Sequence, residues 1–218
     1  MQTDLFRFQW RVDLDGYDTK VEPGIGLDRG HEVEVIRPSG RRWQNYRPLE
    51  FDGLWLRFAE TCRTRDGVLQ FVKEYGLLHD AQDPVHYIQR IAEKLWEISQ
   101  YLESGDPRSA AARFVDEGRD PFALPMMFVL PLPSPERPDV FVPAVVPRQL
   151  EDALKWQALG ALTGNRRFRR CRNEGCANWF GIGTRAPKGQ TYTVRREFCS
   201  DRCRVAWARR NKREAAHA

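Results

Sequence analysis

The sequence predicts an α+β fold in two unequal parts: a larger, mainly helical N-terminal domain with a few strands at its start, and a small C-terminal module that contains four cysteines. The first part follows from the apolar residues, which alternate with polar ones near the N-terminus and then recur three and four positions apart from Leu54 onward. The second part follows from the cysteines, because four of the five lie between positions 171 and 203. With 218 residues and 41% apolar content, the chain is long enough to bury a substantial core.

The N-terminal segment has the period of β-strands. Loose alternation over residues 5–14, and again over residues 31–36, predicts two or three short strands. The turn-forming residues 38–40 separate the second of these segments from residues 41–46. We therefore expect residues 31–46 to form a hairpin.

From Leu54 the apolar period is helical. A pair of helices is expected before Gly76, which provides a stop signal, and a long helix is expected over residues 83–102. Asp83 precedes Pro84 and is expected to cap the long helix. The apolar stripe of that helix consists of Ile88, Ile91, Leu95, Ile98 and Leu102.

Proline dominates the stretch that follows. A short helix is expected over residues 108–117, then strands over residues 122–132 and 141–146. Eight prolines between positions 121 and 147 argue against central strands of a sheet, because proline cannot donate a ladder hydrogen bond. A last helix, over residues 148–162, leads towards the cysteines.

The formal charge divides the chain. Residues 1–165 carry 20 Lys/Arg and 26 Asp/Glu, a balance of −6, whereas residues 166–218 carry 15 and 4, a balance of +11. We therefore divide the chain into a domain of residues 1–147, a connecting helix of residues 148–165 and a cysteine module of residues 166–218. The N-terminal domain and the cysteine module are expected to have different partners.

The spacing of the cysteines is typical of a zinc site. Cys171 and Cys176 enclose four residues, Cys199 and Cys203 enclose three, and 22 residues separate the pairs. Two such turns supply four thiolates, the tetrahedral donor set that Zn²⁺ prefers in structural sites. Catalytic zinc keeps one position open for water and often has a histidine or carboxylate ligand. Because the spacing here supplies four thiolates, we expect one structural Zn²⁺. Cys62, alone on a helical face, is expected in the core.

The order of features in the module predicts a treble-clef-like zinc finger. A first cysteine turn is followed by a hairpin with its tip at residues 181–189 and its second arm at residues 191–198. The second cysteine turn is then followed by RVAWARRNKREAA, a composition that favours a helix.

The segments RRCRNEGCANWF and REFCSDRCRVAWARRNK resemble the C-terminal zinc finger of bacterial CGNR-type proteins and, more broadly, treble-clef fingers with an FCSxxC turn. The resemblance covers about the last fifty residues, and implies that Cys171, Cys176, Cys199 and Cys203 are the ligands. It also implies that the finger binds DNA in a transcription regulator and follows a mainly helical N-terminal domain. The helical stretch LRFAETCRTRDGVLQFVKEYGLL resembles segments of uncharacterised bacterial proteins with this architecture. The Gly-Asn-Arg signature of the family is absent, because Arg204, Val205 and Ala206 follow the last cysteine.

A dense positive charge with 13 arginines and two lysines favours binding to phosphate backbones. The charges close to the two cysteine turns are the candidate nucleic-acid-binding residues, and duplex DNA is the favoured partner. They are Arg166, Arg167, Arg169, Arg170, Arg202, Arg204, Arg209, Arg210, Lys212 and Arg213. The alternatives are a solvated charged tail and a protein–protein interaction adaptor that uses the finger as a docking module.

No motif in the N-terminal domain predicts an enzyme. A phosphate-binding glycine loop, a nucleophile elbow and a His-Glu metal motif are all missing, so we expect a domain that senses a signal or binds a protein partner. His79 and His86 beside Asp80 and Asp83 form the one suggestive cluster, which we assign to the helix boundary. The chain has no membrane-span signal and no secretory signal, and its odd number of cysteines fits poorly with a disulfide framework, so we expect a cytoplasmic protein.

Overall fold

The structure is a computed structural model that describes residues 8–24, 29–51, 53–115, 125, 127–133, 141–163, 167–176, 178–182 and 196–215. Its strands are β1 (Trp10–Asp13), β2 (Tyr17–Pro23), β3 (Glu32–Pro38), β4 (Trp43–Tyr46), β5 (Asp83–Pro84), β6 (Met127–Pro133), β7 (Phe141–Pro147), β8 (Arg167–Arg170) and β9 (Trp179–Ile182). Its helices are α1 (Leu54–Thr61), α2 (Arg65–Tyr75), α3 (Val85–Glu103), α4 (Pro107–Val115), α5 (Leu150–Thr163) and α6 (Asp201–Ala215), with a 3-10 turn at Pro48–Glu50. The mixed helix and strand content confirms the α+β class.

The strands near the N-terminus form two small sheets whose pairing differs from the prediction. β1 pairs antiparallel with β4, and β3 pairs antiparallel with both β2 and β5. The predicted hairpin over residues 31–46 is therefore wrong. The donors of the intervening turn bind elsewhere: Gly40 N donates to Asp13 Oδ2 at 2.7 Å and Ser39 N to the Gly16 carbonyl at 3.0 Å. These bonds hold the turn against the β1–β2 loop, so the chain passes from one sheet to the other.

The helices enclose the main core. The pair predicted before Gly76 is confirmed as α1 and α2, and Gly76 ends α2 with φ of +85°. A Cβ at that position would lie 2.3 Å from the Arg11 carbonyl oxygen, so only glycine fits. The apolar stripe of α3 is also confirmed, with four of its residues fully buried and Leu102 partly buried: Ile88, Ile91, Leu95 and Ile98.

The proline-rich stretch forms a two-stranded ribbon. β6 and β7 pair antiparallel, with Pro131 opposite Pro143 and Met127 opposite Pro147. Both strands are edge strands, which is the position that prolines tolerate. The start of the predicted strand over residues 122–132 lies mostly outside the described residues.

α5 belongs to the main core as well as to the connection. Leu150, Leu154 and Ala158 are fully buried in the cluster that also contains α1 and α3. The helix that leads to the cysteines is thus anchored in the main core. No helix in the described part of the chain combines the length and the apolar character needed to cross a bilayer.

Candidate metal centre and basic surface

The four cysteines of the C-terminal module converge. Their sulfur atoms all lie within 4.8 Å of one another, with 3.6 Å from Cys176 Sγ to Cys199 Sγ and 3.5 Å from Cys199 Sγ to Cys203 Sγ. Zn–S bonds of about 2.3 Å in a tetrahedron place the sulfurs about 3.8 Å apart. All four are free thiols. The cluster therefore suits a metal ion held by four sulfurs.

Two local turns aim the thiols. In the first, Cys176 N donates to the Asn173 carbonyl at 2.7 Å and Cys171 N donates to the Asn178 carbonyl at 3.0 Å. In the second, Ser200 precedes α6, and its hydroxyl oxygen accepts from Cys203 N at 3.3 Å. Ser200 is thus a helix cap of the kind that serine favours, and it places Cys203 on the first turn of α6.

A very small core supports the cluster. Cys171, Phe180 and Ile182 are its buried residues, with Phe198 and the other cysteines packed against them. Trp207 of α6 lies 5.5 Å from Phe198 between ring centroids. So few apolar side chains cannot offset the chain entropy of the module, and a metal ion would supply the missing stabilisation.

The thiols differ in acidity. The Ser200 hydroxyl, with its neighbouring thiols, lowers the pKa of Cys203 to about 7, whereas burial raises the pKa of Cys199 and of Cys176. Four negative sulfurs at these distances repel one another, so a divalent cation among them is what allows all four to ionise.

The arginine run before the first cysteine is a strand. β8 pairs antiparallel with β9, so that Arg170 lies opposite Trp179. The prediction placed a hairpin between the two cysteine turns, with residues 191–198 as the second arm. Its first strand is confirmed as β9, but the observed partner is the upstream run, and residues 191–195 lie outside the described part of the chain.

The module rests on α1. Glu60 accepts from Trp179 Nε1 at 3.1 Å and forms an ion pair with Arg170 at 2.8 Å. Arg57 Nη1 donates to Asn178 Oδ1 at 3.1 Å. Just before α1, Gly53 has φ of +82°, and a Cβ there would lie 2.7 Å from Trp179 Cβ. No sequence spacing predicts this contact, because Glu60 and Trp179 are 119 residues apart.

The ten candidate nucleic-acid-binding residues fall into three groups. The first group is not fully described: Arg166 lies outside the described residues, and the structure does not describe the side chains of Arg167, Lys212 and Arg213. Others bind within the protein: Arg169 to the Arg196 carbonyl, Arg170 to Glu60, Arg204 to Asp201, and Arg210 to Glu174 and Asn173. Arg202 and Arg209 are exposed, and neither has an ion-pair partner among the described residues.

α6 therefore has two different faces. Cys203, Trp207 and Arg210 recur at helical spacing and are half-buried against the module. Arg202 and Arg209 are seven residues apart, which places them on one exposed face. The packing of the first face against the cysteine module therefore orients the second.

The histidine cluster is a buried ionic network, a role that the sequence did not reveal. Asp83 is fully buried, and its carboxylate accepts from Leu78 N at 2.6 Å and from His79 N at 3.2 Å, and also pairs with the His79 ring. The predicted helix cap at Asp83 is therefore wrong. The residue belongs to β5, and α3 begins two residues later than expected because Asp83 is bonded to the preceding loop.

The network continues into α5. His79 Nε2 lies 3.3 Å from Glu151 Oε2, and the Tyr87 hydroxyl donates to the same oxygen at 2.8 Å. Lys155 pairs with the other oxygen of Glu151, and both side chains are almost fully buried. His86 is exposed.

Protonation of His79 should stabilise the fold. Burial, the largest single effect, favours the neutral ring, but the Asp83 hydrogen bond and the charges of Asp83, Glu151 and Asp152 outweigh it and raise the pKa of His79. The stabilisation is fully present below the unfolded pKa of about 6.5, and is lost as pH rises through the higher folded pKa.

We therefore expect the free energy of unfolding to fall as the pH rises above about 6.5 in the wild type, and to fall less in His79→Gln. Urea titrations followed by circular dichroism measure this difference. Parallel profiles for wild type and His79→Gln would contradict the assignment.

Comparison with models of known protein families, with curated protein sequences and with solved structures found no match to this chain.

Proposed function

We propose that the cysteine module is a treble-clef zinc finger, held by one structural Zn²⁺ on Cys171, Cys176, Cys199 and Cys203, that binds nucleic acid. Duplex DNA is the favoured partner, and the chain acts as a transcription regulator whose N-terminal domain receives a signal or a protein partner. The resemblance of the module to CGNR-type fingers agrees with this role. Since four thiolates leave no open coordination position, we propose no catalytic step at the metal.

One observation carries the proposal: α6 presents Arg202 and Arg209 on a single exposed face while its other face is fixed by the cysteines. A helix fixed on one side and positively charged on the other is suited to follow a phosphate backbone. The alternative is a protein-docking module, and Val205, 40% exposed on the same helix, favours it.

Salt dependence distinguishes these functions. We expect the zinc-loaded chain to bind a labelled duplex of random sequence at low ionic strength, measured by fluorescence anisotropy. The affinity should fall with salt, with a slope of about −0.9 per neutralised phosphate. Arg209→Ala should weaken binding and reduce the slope by about one.

Arg204→Ala is the matched control, because it removes the same charge from the same helix but from a side chain already paired with Asp201. It should change the slope less than Arg209→Ala. Absence of duplex binding at low salt, or equal slopes for wild type and Arg209→Ala, would show that the nucleic-acid function is wrong. Selection from random duplexes then separates a regulator, which enriches a sequence, from a non-specific binder.

A further inference from the structure

A cleft of about 640 Å³ lies where the cysteine module meets the N-terminal part of the chain. Phe51 and Tyr75 line one side, and Ser200 and Arg202 line the other. We propose that this junction cleft takes a single unpaired nucleotide of a bound nucleic-acid strand, with the base on Phe51 and the phosphate at Arg202. The inference rests on the proposed function and deepens it. The volume lies within the roughly 300–1,000 Å³ of small-molecule sites.

Phe51 is an exposed aromatic ring with a fixed position. It is 45% exposed, although phenylalanine is among the residues most often buried. Its ring packs edge-on against Tyr46 and Tyr75, with centroids 6.2 Å and 6.3 Å away. Its carbonyl accepts from Gln157 Nε2 at 3.0 Å, which ties it to α5. Such a rigid exposed ring is a stacking platform, and every nucleobase offers a face to it.

Cys176, Cys199 and Cys203 are among the residues that line the cleft. Apart from these thiols, the polar groups left available there are mainly donors. Asn178 uses its side-chain oxygen to accept from Arg57 at 3.1 Å, which leaves its amide N–H groups to donate, whereas the Asn173 amide already donates to the Cys203 thiol. Arg202 adds an exposed guanidinium. Glu50 is the one acidic residue among the described lining residues, and it pairs with Arg47 at 3.0 Å. Donors of this kind suit phosphate and carbonyl oxygens.

The position of Arg209 favours a strand over a free nucleotide. Arg202 lines the cleft, and Arg209 lies two turns further along the same exposed face of α6. A backbone that follows these two charges would pass the mouth of the cleft. An unpaired base can leave the stack at lower cost than a paired one, so a strand with one unpaired base meets both features together.

The test uses the full zinc-loaded chain and three probes: a blunt duplex, the same duplex with one unpaired 2-aminopurine, and the free mononucleotide. We expect the bulged duplex to bind roughly 5- to 160-fold more tightly than the blunt one, the range that one stacked base contributes. The 2-aminopurine fluorescence should change on binding. Phe51→Ala should abolish both the preference and the fluorescence change, while Phe51→Trp keeps them and blunt-duplex affinity stays within about twofold.

Tyr101→Ala is the matched control, because Tyr101 is a similarly exposed aromatic residue on α3, outside the cleft. It should keep the preference. The inference is overturned if the bulged duplex binds no more tightly than the blunt one, if Phe51→Ala keeps the preference, or if the mononucleotide binds as tightly as the bulged duplex. Blunt-duplex binding without a preference refutes the cleft alone, whereas no binding to either duplex refutes the proposed function.

Discussion

Replacing Cys199 with serine is expected to remove the metal and unfold the cysteine module. Cys199 Sγ lies 3.6 Å from Cys176 Sγ and 3.5 Å from Cys203 Sγ, so the substitution removes a sulfur donor that contacts two of the others. Structural zinc contributes about 10–16 kcal/mol of apparent binding free energy in finger peptides, and here this free energy replaces an apolar core. Zinc affinity should fall by more than the roughly 10- to 100-fold that the loss of an outer-shell partner costs.

Metal content after dialysis and the thiolate absorption of the cobalt-loaded chain measure this loss. Cys62→Ala is the matched control, since Cys62 is fully buried in the main core and burial raises the pKa of its thiol. It should lower the free energy of unfolding by about 1–2 kcal/mol and keep about one metal ion per chain. Metal retained by Cys199→Ser at wild-type affinity, or lost from Cys62→Ala, would contradict the four-sulfur site.

The second large effect is expected from Lys155→Met, which breaks the buried network. The change leaves the Glu151 carboxylate buried without its lysine partner, while methionine keeps most of the side-chain volume. We expect the free energy of unfolding to fall by about 3–5 kcal/mol, the usual cost of removing one partner of a buried pair. Urea denaturation at neutral pH measures it.

Arg47→Met provides the comparison, because it removes the same charge from a pair with Glu50 in which both side chains are 48% exposed. The loss there should stay below about 1 kcal/mol. Adding Glu151→Gln to Lys155→Met should recover part of the stability, since no carboxylate then remains without its lysine. Equal losses in the two single variants would mean that the network contributes no more than a surface pair.

Local periodicity predicted the helices well. The stripe of α3, the stop at Gly76 and the pair α1 and α2 depend on residues three and four apart, which a sequence shows directly. The helix bounds differ by one or two residues, as at Asp83, where a contact with the preceding loop decides the start. The convergence of the cysteines was likewise predictable, because two short turns with metal-ligand spacing imply a common centre.

Contacts between distant segments were not predictable. β4 pairs with β1 rather than with its neighbour β3, and nothing in the turn residues indicates that choice. Tyr87 and Glu151 are 64 residues apart, and only the packing of α3 against α5 brings them together. The same holds for Glu60, which forms an ion pair with Arg170 and thereby neutralises one of the cations that the charge count had indicated.

The four-sulfur cluster also changes the charge of the segment that holds it. A divalent ion among four thiolates carries a net −2, so residues 166–218 would pass from +11 to +9 when loaded. A chelator that returns the cysteines to neutral thiols thus makes the segment more positive, while it takes away the fold. The higher positive charge alone would strengthen the long-range attraction between this segment and DNA. Loss of duplex binding on chelation would therefore show that binding depends on the arrangement of α6.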